Sequence, residues 1–142
     1  KVDWLTRISI VPSLKTYCLF KTQHGLESYL STIKNKRHLT ALIRFRLRSH
    51  NLAIEIGRHN RIPRDHRLCV HCNENKVEDE THFLLFCSKY NDLRKPLTPI
   101  IQELNSDDAF IYLLQSVDPD INRKLAKFIY QALLKRSQPN LT

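Results

Sequence analysis

The stretch Arg67-Leu68-Cys69-Val70-His71-Cys72-Asn73-Glu74-Asn75-Lys76-Val77-Glu78-Asp79-Glu80-Thr81-His82-Phe83-Leu84-Leu85-Phe86-Cys87 decides how the rest of the chain is read. Cys69, Cys72, His82 and Cys87 stand in it as C-x2-C-x9-H-x4-C. Three soft thiolates and one imidazole form a tetrahedral donor set suited to zinc. With four protein ligands the shell is full, so one structural Zn2+ is expected; a catalytic zinc normally keeps a position open for water. The competing reading is a set of plain thiols or a disulfide framework. Against it, three cysteines crowd into one segment with a histidine, while Cys18 stands alone among Leu14, Leu19 and Phe20.

Within the stretch, Arg67–Val70 and the residues around Val77 are predicted to pair as a small β-hairpin turning at Asn73-Glu74-Asn75. Glu78–Phe86 reads as a helix, with Glu78, Asp79 and Glu80 in its first turn, where acids are favourable. His82 and Cys87 are five residues apart, off one helical face, so Cys87 should fall where the helix ends or distorts. The acidic trio is a candidate acceptor for the free imidazole nitrogen of His82. His71, between the two knuckle cysteines, should point away from the metal.

Upstream, charge dominates. From Lys34 to Arg67 the chain carries ten Lys and Arg, eight of them Arg, against only Glu55 and Asp65. Arginine suits bidentate phosphate contacts and stacking on bases. Lys36–Ser49 reads as an amphipathic helix with Leu39, Leu42, Ile43 and Leu47 on one stripe and Arg37, Arg44 and Arg48 opposite. Arg46 falls in the apolar stripe, so it should snorkel or meet a carboxylate such as Glu55, Glu78, Asp79 or Glu80. Asn51–Gly57 is a short helix or apolar connector that Gly57 terminates. Arg58, Arg61, Arg64 and Arg67 follow on a polar, proline-containing loop leading into Cys69.

Further upstream, Lys1–Ile10 suggests an apolar arm docked on the domain, and Pro12 ends it. The period of Ser13–Phe20 does not choose cleanly between helix and strand, with helix preferred; His24-Gly25 marks a break, and Leu26–Ile33 has helical spacing. Downstream of Cys87, Thr98-Pro99, Ser106-Asp107-Asp108 and Asp118-Pro119-Asp120 each look like an N-cap followed by proline or acids in the first turn. The helices they open carry core stripes through Ile100, Ile101 and Leu104, then Phe110, Ile111, Leu113 and Leu114, then Ile121, Leu125, Phe128, Ile129 and Leu133. Gln138–Thr142 reads as a frayed tail.

These pieces make a mainly α fold, a small helical domain with one zinc knuckle and short β-hairpin inserted between helices. Its 142 residues read as one domain, with a basic helical part (1–66), the zinc segment (67–87) and C-terminal helices (88–142). A net charge of +9 ranks phosphate-bearing partners above acidic proteins or membranes. No apolar run reaches a membrane span, and two glycines exclude a Gly-rich phosphate loop. With no apolar signal segment at Lys1, an intracellular chain is expected rather than a secreted one. Methionine is absent even at the start, which suggests a piece of a longer polypeptide.

Leu47-Arg-Ser-His-Asn-Leu-Ala-Ile-Glu-Ile-Gly-Arg58, then Ile62-Pro-Arg64, then the C-x2-C-x9-H-x4-C segment with Val77-Glu-Asp-Glu-Thr-His-Phe-Leu-Leu-Phe-Cys87, resembles the zinc-binding region that follows the reverse transcriptase domain of non-LTR (LINE-type) retrotransposon polyproteins. Leu14-Lys15-Thr16-Tyr17 and Phe20-Lys21 add to it; the likeness covers Leu14 to Arg94 and none of the last third. It implies the same four metal ligands, RNA or target DNA as partner together with the rest of the parent polyprotein, and no small-molecule substrate. Retroviral nucleocapsid knuckles are shorter between second cysteine and histidine and hold a glycine there, so the chain departs from them. It has neither the paired aspartates of a polymerase nor an endonuclease constellation, so catalysis would lie outside it.

The leading expectation is a non-enzymatic, zinc-stabilised nucleic-acid-binding module. Arg37, Arg44 and Arg48 would contact phosphates from a helix face, and Arg58, Arg61, Arg64 and Arg67 would bring the backbone to the knuckle. The alternative is a zinc-dependent structural or protein-interaction module docking on a neighbouring polymerase domain. A metal-dependent or Cys-His hydrolase would need an open metal position or an activated nucleophile, and the donor set offers neither.

Overall fold

The computed structural model describes residues 4–11, 14, 17–21, 25 and 27–138, with the Leu5 side chain set aside. The expected break at Pro12 and His24, the start of the 26–33 helix and the tail beyond 138 lie outside those residues. Among the described residues the protein is mainly helical and contains no strand. Nine α-helices run through them: α1 (Trp4–Ser9), α2 (Tyr17–Phe20), α3 (Tyr29–Thr32), α4 (Lys36–Arg46), α5 (Ala53–His59), α6 (Asn91–Arg94), α7 (Thr98–Glu103), α8 (Ser106–Gln115) and α9 (Pro119–Ser137). The Cys/His segment lies between α5 and α6.

The longest element, α9, organises the packing. Asp118 caps it by accepting the Asp120 N–H at 2.9 Å, and Pro119 follows at the first helical position, where its missing N–H costs nothing. It buries Ile121, Leu125, Ala126, Phe128, Ile129 and Ala132, the stripe a 3.6-residue period requires. Its main partner is α4. There Ala41, Leu42 and Phe45 are buried, whereas Leu47 lies past the helix end and is exposed. The stripe differs from the expected one because the helix stops one residue short of Leu47. The other helix starts also differ: Asn105, not Ser106, caps α8 through the Asp108 N–H at 2.9 Å, and the Thr98 hydroxyl bonds back to Arg94 O at 3.2 Å.

Both α4 and α5 end in the same way. The Ser49 N–H reaches Arg44 O at 2.8 Å with Arg48 at φ 57°, and the Ile62 N–H reaches Gly57 O at 2.8 Å with Arg61 at φ 57°. These are Schellman closures whose left-handed position, usually glycine, is held by arginine. Gly57 does not terminate α5; it lies inside it. A Cβ at Gly57 would sit 2.4 Å from Arg67 Cγ, so glycine there makes room for the Arg67 side chain crossing the helix.

Arg46 is 3 % exposed and meets a carboxylate, but a different one from those expected. It pairs with Glu27 at 3.0 Å, hydrogen-bonds Leu114 O, and lies 4.4 Å from the Phe20 ring centroid and 4.8 Å from that of Tyr29. A charge on an apolar stripe is tolerated because ion pair, carbonyl and ring faces together replace water.

Candidate metal centre

The predicted β-hairpin reduces to one antiparallel bridge, Leu68 to Val77. Cys69 N–H to Lys76 O (2.8 Å) and Glu78 N–H to Arg67 O (2.9 Å) hold it. Between them residues 70–76 loop around the thiols instead of extending a ladder, with Asn75 at φ 56°. Asp79 then accepts the His82 N–H at 2.8 Å and starts a helix at Glu80, two residues later than expected. From His82 to Phe86 that helix widens into a π-turn, and the Cys87 N–H closes on His82 O at 2.8 Å. A five-residue spacing is what a π-turn connects, so His82 and Cys87 are brought together by the distortion their spacing predicts.

The four donor atoms of Cys69, Cys72, His82 and Cys87 all lie within 4.8 Å of one another. Cys69 Sγ to Cys87 Sγ is 3.9 Å and Cys72 Sγ to His82 Nε2 is 3.4 Å. A tetrahedral shell with bonds near 2.3 Å to sulfur and about 2.0–2.1 Å to nitrogen has S–S edges of about 3.8 Å and S–N edges of about 3.6 Å. The cluster could therefore hold one metal ion. All four cysteines are free, and 3.9 Å is far outside a disulfide bond, so the disulfide reading is set aside. Cys18 stands apart on α2, and His71 takes no part in the cluster; its Nδ1 lies 3.3 Å from Lys89 Nζ.

Burial pushes the Cys87 thiol up to about 12 and raises Cys69 as well, while it lowers His82. A bare pocket thus favours neutral thiols and a neutral imidazole, and a divalent cation supplies the charge that makes thiolates stable there. The acidic trio has other duties than the His82 ring. Asp79 caps the helix and pairs with Arg64 at 3.0 Å. Glu80 pairs with Arg48 at 2.9 Å and His50 at 3.1 Å. Glu78 takes Arg136 of α9 in a two-pronged grip at 2.8 and 2.9 Å, and its Oε2 lies 4.0 Å from Cys69 Sγ.

Glu78 also starts α5. Leu52, at the N-cap, has no side chain able to cap, and Glu78 provides both acceptors, its Oε1 for the Ala53 N–H at 2.7 Å and its main-chain O for the Ile54 N–H at 3.0 Å. On the other side of the centre, the buried Arg94 donates to Leu84 O (2.8 Å), Cys87 O (2.9 Å) and Phe83 O (3.2 Å), closing the carbonyl end of the π-turn. Phe83 itself packs against Phe45, Tyr90 and Phe128, so the centre is embedded in the main core. Sequence reading missed Arg94 and Arg136, whose roles depend on partners distant in the chain.

The seven arginines expected at a nucleic acid divide. Arg37, Arg44 and Arg48 line one groove of about 820 Å³ between α4, α5 and α9; Arg48, Arg58, Arg64 and Arg67 line another of about 710 Å³ beside α8. Arg48, common to both, is one-tenth exposed and paired with Glu55 and Glu80. Arg58 pairs with Glu55, and Arg67 donates to Ile62 O at 2.8 Å and Ile54 O at 3.1 Å. Arg37, Arg44 and Arg61 are exposed, and their guanidinium groups have no hydrogen bond or ion pair among the described residues.

Fold and site together define a small helical domain built around a Cys3His cluster competent to hold a metal ion. No family model, curated protein or solved structure matches the chain. No helix among the described residues is long and apolar enough to cross a membrane.

Proposed function

We propose that this chain is a zinc-stabilised, non-catalytic module that binds RNA or DNA, of the kind that follows the reverse transcriptase domain in non-LTR retrotransposon polyproteins. Zinc is the metal proposed because three thiolates and one imidazole in a closed tetrahedral set suit it best. It acts as a staple, joining the loop at 69–72 to the π-turn at 82–87, and its four protein ligands leave a substrate no position on the metal.

The observation that carries the nucleic-acid reading is the row Lys36, Arg37 and Arg44. These cations share one groove and have no carboxylate partner among the described residues, in a protein that pairs Arg46, Arg48, Arg58, Arg64 and Arg136 with acids. Uncompensated charge costs stability through self-repulsion unless a polyanion meets it. Binding by such a row is electrostatic, so affinity falls linearly in log–log form with salt. Arg37→Gln with Arg44→Gln should flatten the slope for single-stranded oligonucleotides by about 0.7 for each phosphate that is no longer neutralised. Salt-independent binding, or an unchanged slope in the double variant, refutes the proposal; retention only by the parent polypeptide would favour docking on a polymerase domain instead.

A further inference from the structure

The groove between α4 and α9 has two chemically different walls. On the α4 side Lys36, Arg37, Thr40 and Arg44 follow one helical face, with Arg37 and Arg44 about 10.5 Å apart along the axis. On the α9 side Tyr130 and Leu133 present a ring and an aliphatic surface one turn apart, followed by Arg136, whose charge is taken by Glu78, while Glu55 at the α5 end is taken by Arg48 and Arg58. Tyr130 is half-buried, and the His38 ring packs on it at 5.1 Å between centroids, which fixes the phenol plane. Ala41 sits between the two walls, and its small side chain helps leave the space open.

A cationic wall facing a ring wall matches a molecule with phosphates along one edge and flat apolar surfaces along the other. Single-stranded nucleic acid has that form, because its bases are free to stack on protein rings. A duplex hides its base faces in its own stack and would use only the cations. The groove, about 820 Å³ in volume, lies in the size range of ligand clefts and has room for a few nucleotides of one strand. We infer that this groove takes a short single strand, its phosphates along Lys36, Arg37 and Arg44 and one base on the Tyr130 ring. The inference rests on the nucleic-acid reading above and adds strand state and base-stacking residue to it.

The test measures anisotropy of fluorescein-labelled oligo(dT) and oligo(U) of about ten nucleotides, a length within one single-strand site. A hairpin duplex of similar length serves as the comparison, all with the metal-loaded full chain. Tyr130→Leu should weaken single-strand binding by about 5- to 150-fold, the worth of one stacked base, and leave duplex binding unchanged. Tyr130→Phe restores the affinity that Tyr130→Leu loses, since the ring returns. In the unmutated chain a 4-thiouridine oligonucleotide should crosslink to the peptide carrying Tyr130, an arm independent of how any variant folds. Equal single-strand binding by Tyr130→Leu, duplex binding as tight as single-strand binding, or crosslinks confined to other segments would overturn the inference. If binding persists and depends on Arg37 and Arg44 but not on Tyr130, only the groove assignment fails; if neither form binds, the functional reading fails with it.

Discussion

The joint at Glu78 is the most exposed to test by a single atom. Its carboxylate is 2 % exposed, grips Arg136 with two hydrogen bonds, and supplies the first N–H of α5 with an acceptor. Glu78→Gln keeps the volume and one oxygen but removes the charge, so Arg136, itself only 14 % exposed, keeps a cation with no counterion. Removing one partner of a buried pair costs about 3–5 kcal/mol; the retained oxygen places this substitution near 3 kcal/mol. At roughly 2–4 °C per kcal/mol for a chain of this size, the unfolding midpoint falls by on the order of 10 °C.

The assay is urea unfolding of the metal-loaded protein followed by circular dichroism, run as a cycle with Arg136→Met. If the pair is the origin of the loss, the double variant loses less than the sum of the singles, with a coupling of about 2 kcal/mol and an unchanged denaturant slope. Additivity within about 0.5 kcal/mol would refute the reasoning, because the Glu78 effect would then come from its α5 cap or from the neighbouring Cys69.

One metal ion per chain is expected from elemental analysis, falling to none in Cys87→Ser and unchanged in Cys18→Ser; chelation of the unmutated chain should lower its thermal midpoint steeply, and stability indifferent to chelator would contradict a structural centre. Burial opposes ionisation of Glu80, but the His50 hydrogen bond and the His50 and Arg48 charges outweigh it and hold the carboxyl below its ordinary 4.5. A depressed folded-state value contributes stability above that ordinary value and loses it as pH falls through the folded one. The stability gap between the unmutated chain and Glu80→Gln should therefore close on acidification, and a gap that widens would invert the assignment. Gly57→Ala should destabilise by about 2 kcal/mol because its Cβ displaces Arg67, yet in an Arg67→Ala background it should be neutral or stabilising by up to about 1 kcal/mol, as for alanine over glycine in a helix. Denaturation midpoints of the four proteins decide it.

What is legible in the sequence is governed by local period and spacing. The α9 stripe follows from residues four and seven apart, and the five-residue gap from His82 to Cys87 announces a helix distortion. The hairpin is not legible, because the same turn residues serve a ladder or a loop wrapped on sulfur, and only the donor geometry distinguishes them. Gly57 reads as a stop signal, since no local pattern records that Arg67 will cross the helix there.

Charge is the least legible property, for a reason that applies to any basic segment. Between Lys34 and Arg67 the sequence holds ten cations and two acids, but that window includes only acids close in sequence. In the fold, Glu27 comes from upstream to meet Arg46, and Asp79 and Glu80 come from downstream to meet Arg64 and Arg48. Glu55 takes Arg58 from within the window. Carboxylates delivered by tertiary structure thus take Arg46, Arg48 and Arg64, and Glu55 takes Arg58, so that part of the apparent excess is tied up in ion pairs within the fold. What has no carboxylate partner among the described residues is Lys34, Arg67, whose guanidinium is held by carbonyls, Arg61 at the α5 closure, and Lys36, Arg37 and Arg44, the last three gathered on one helix face. A partner contacting this domain electrostatically should accordingly lose affinity to substitutions at Arg37 and Arg44, while Arg48 and Arg67 substitutions should register first as reduced stability.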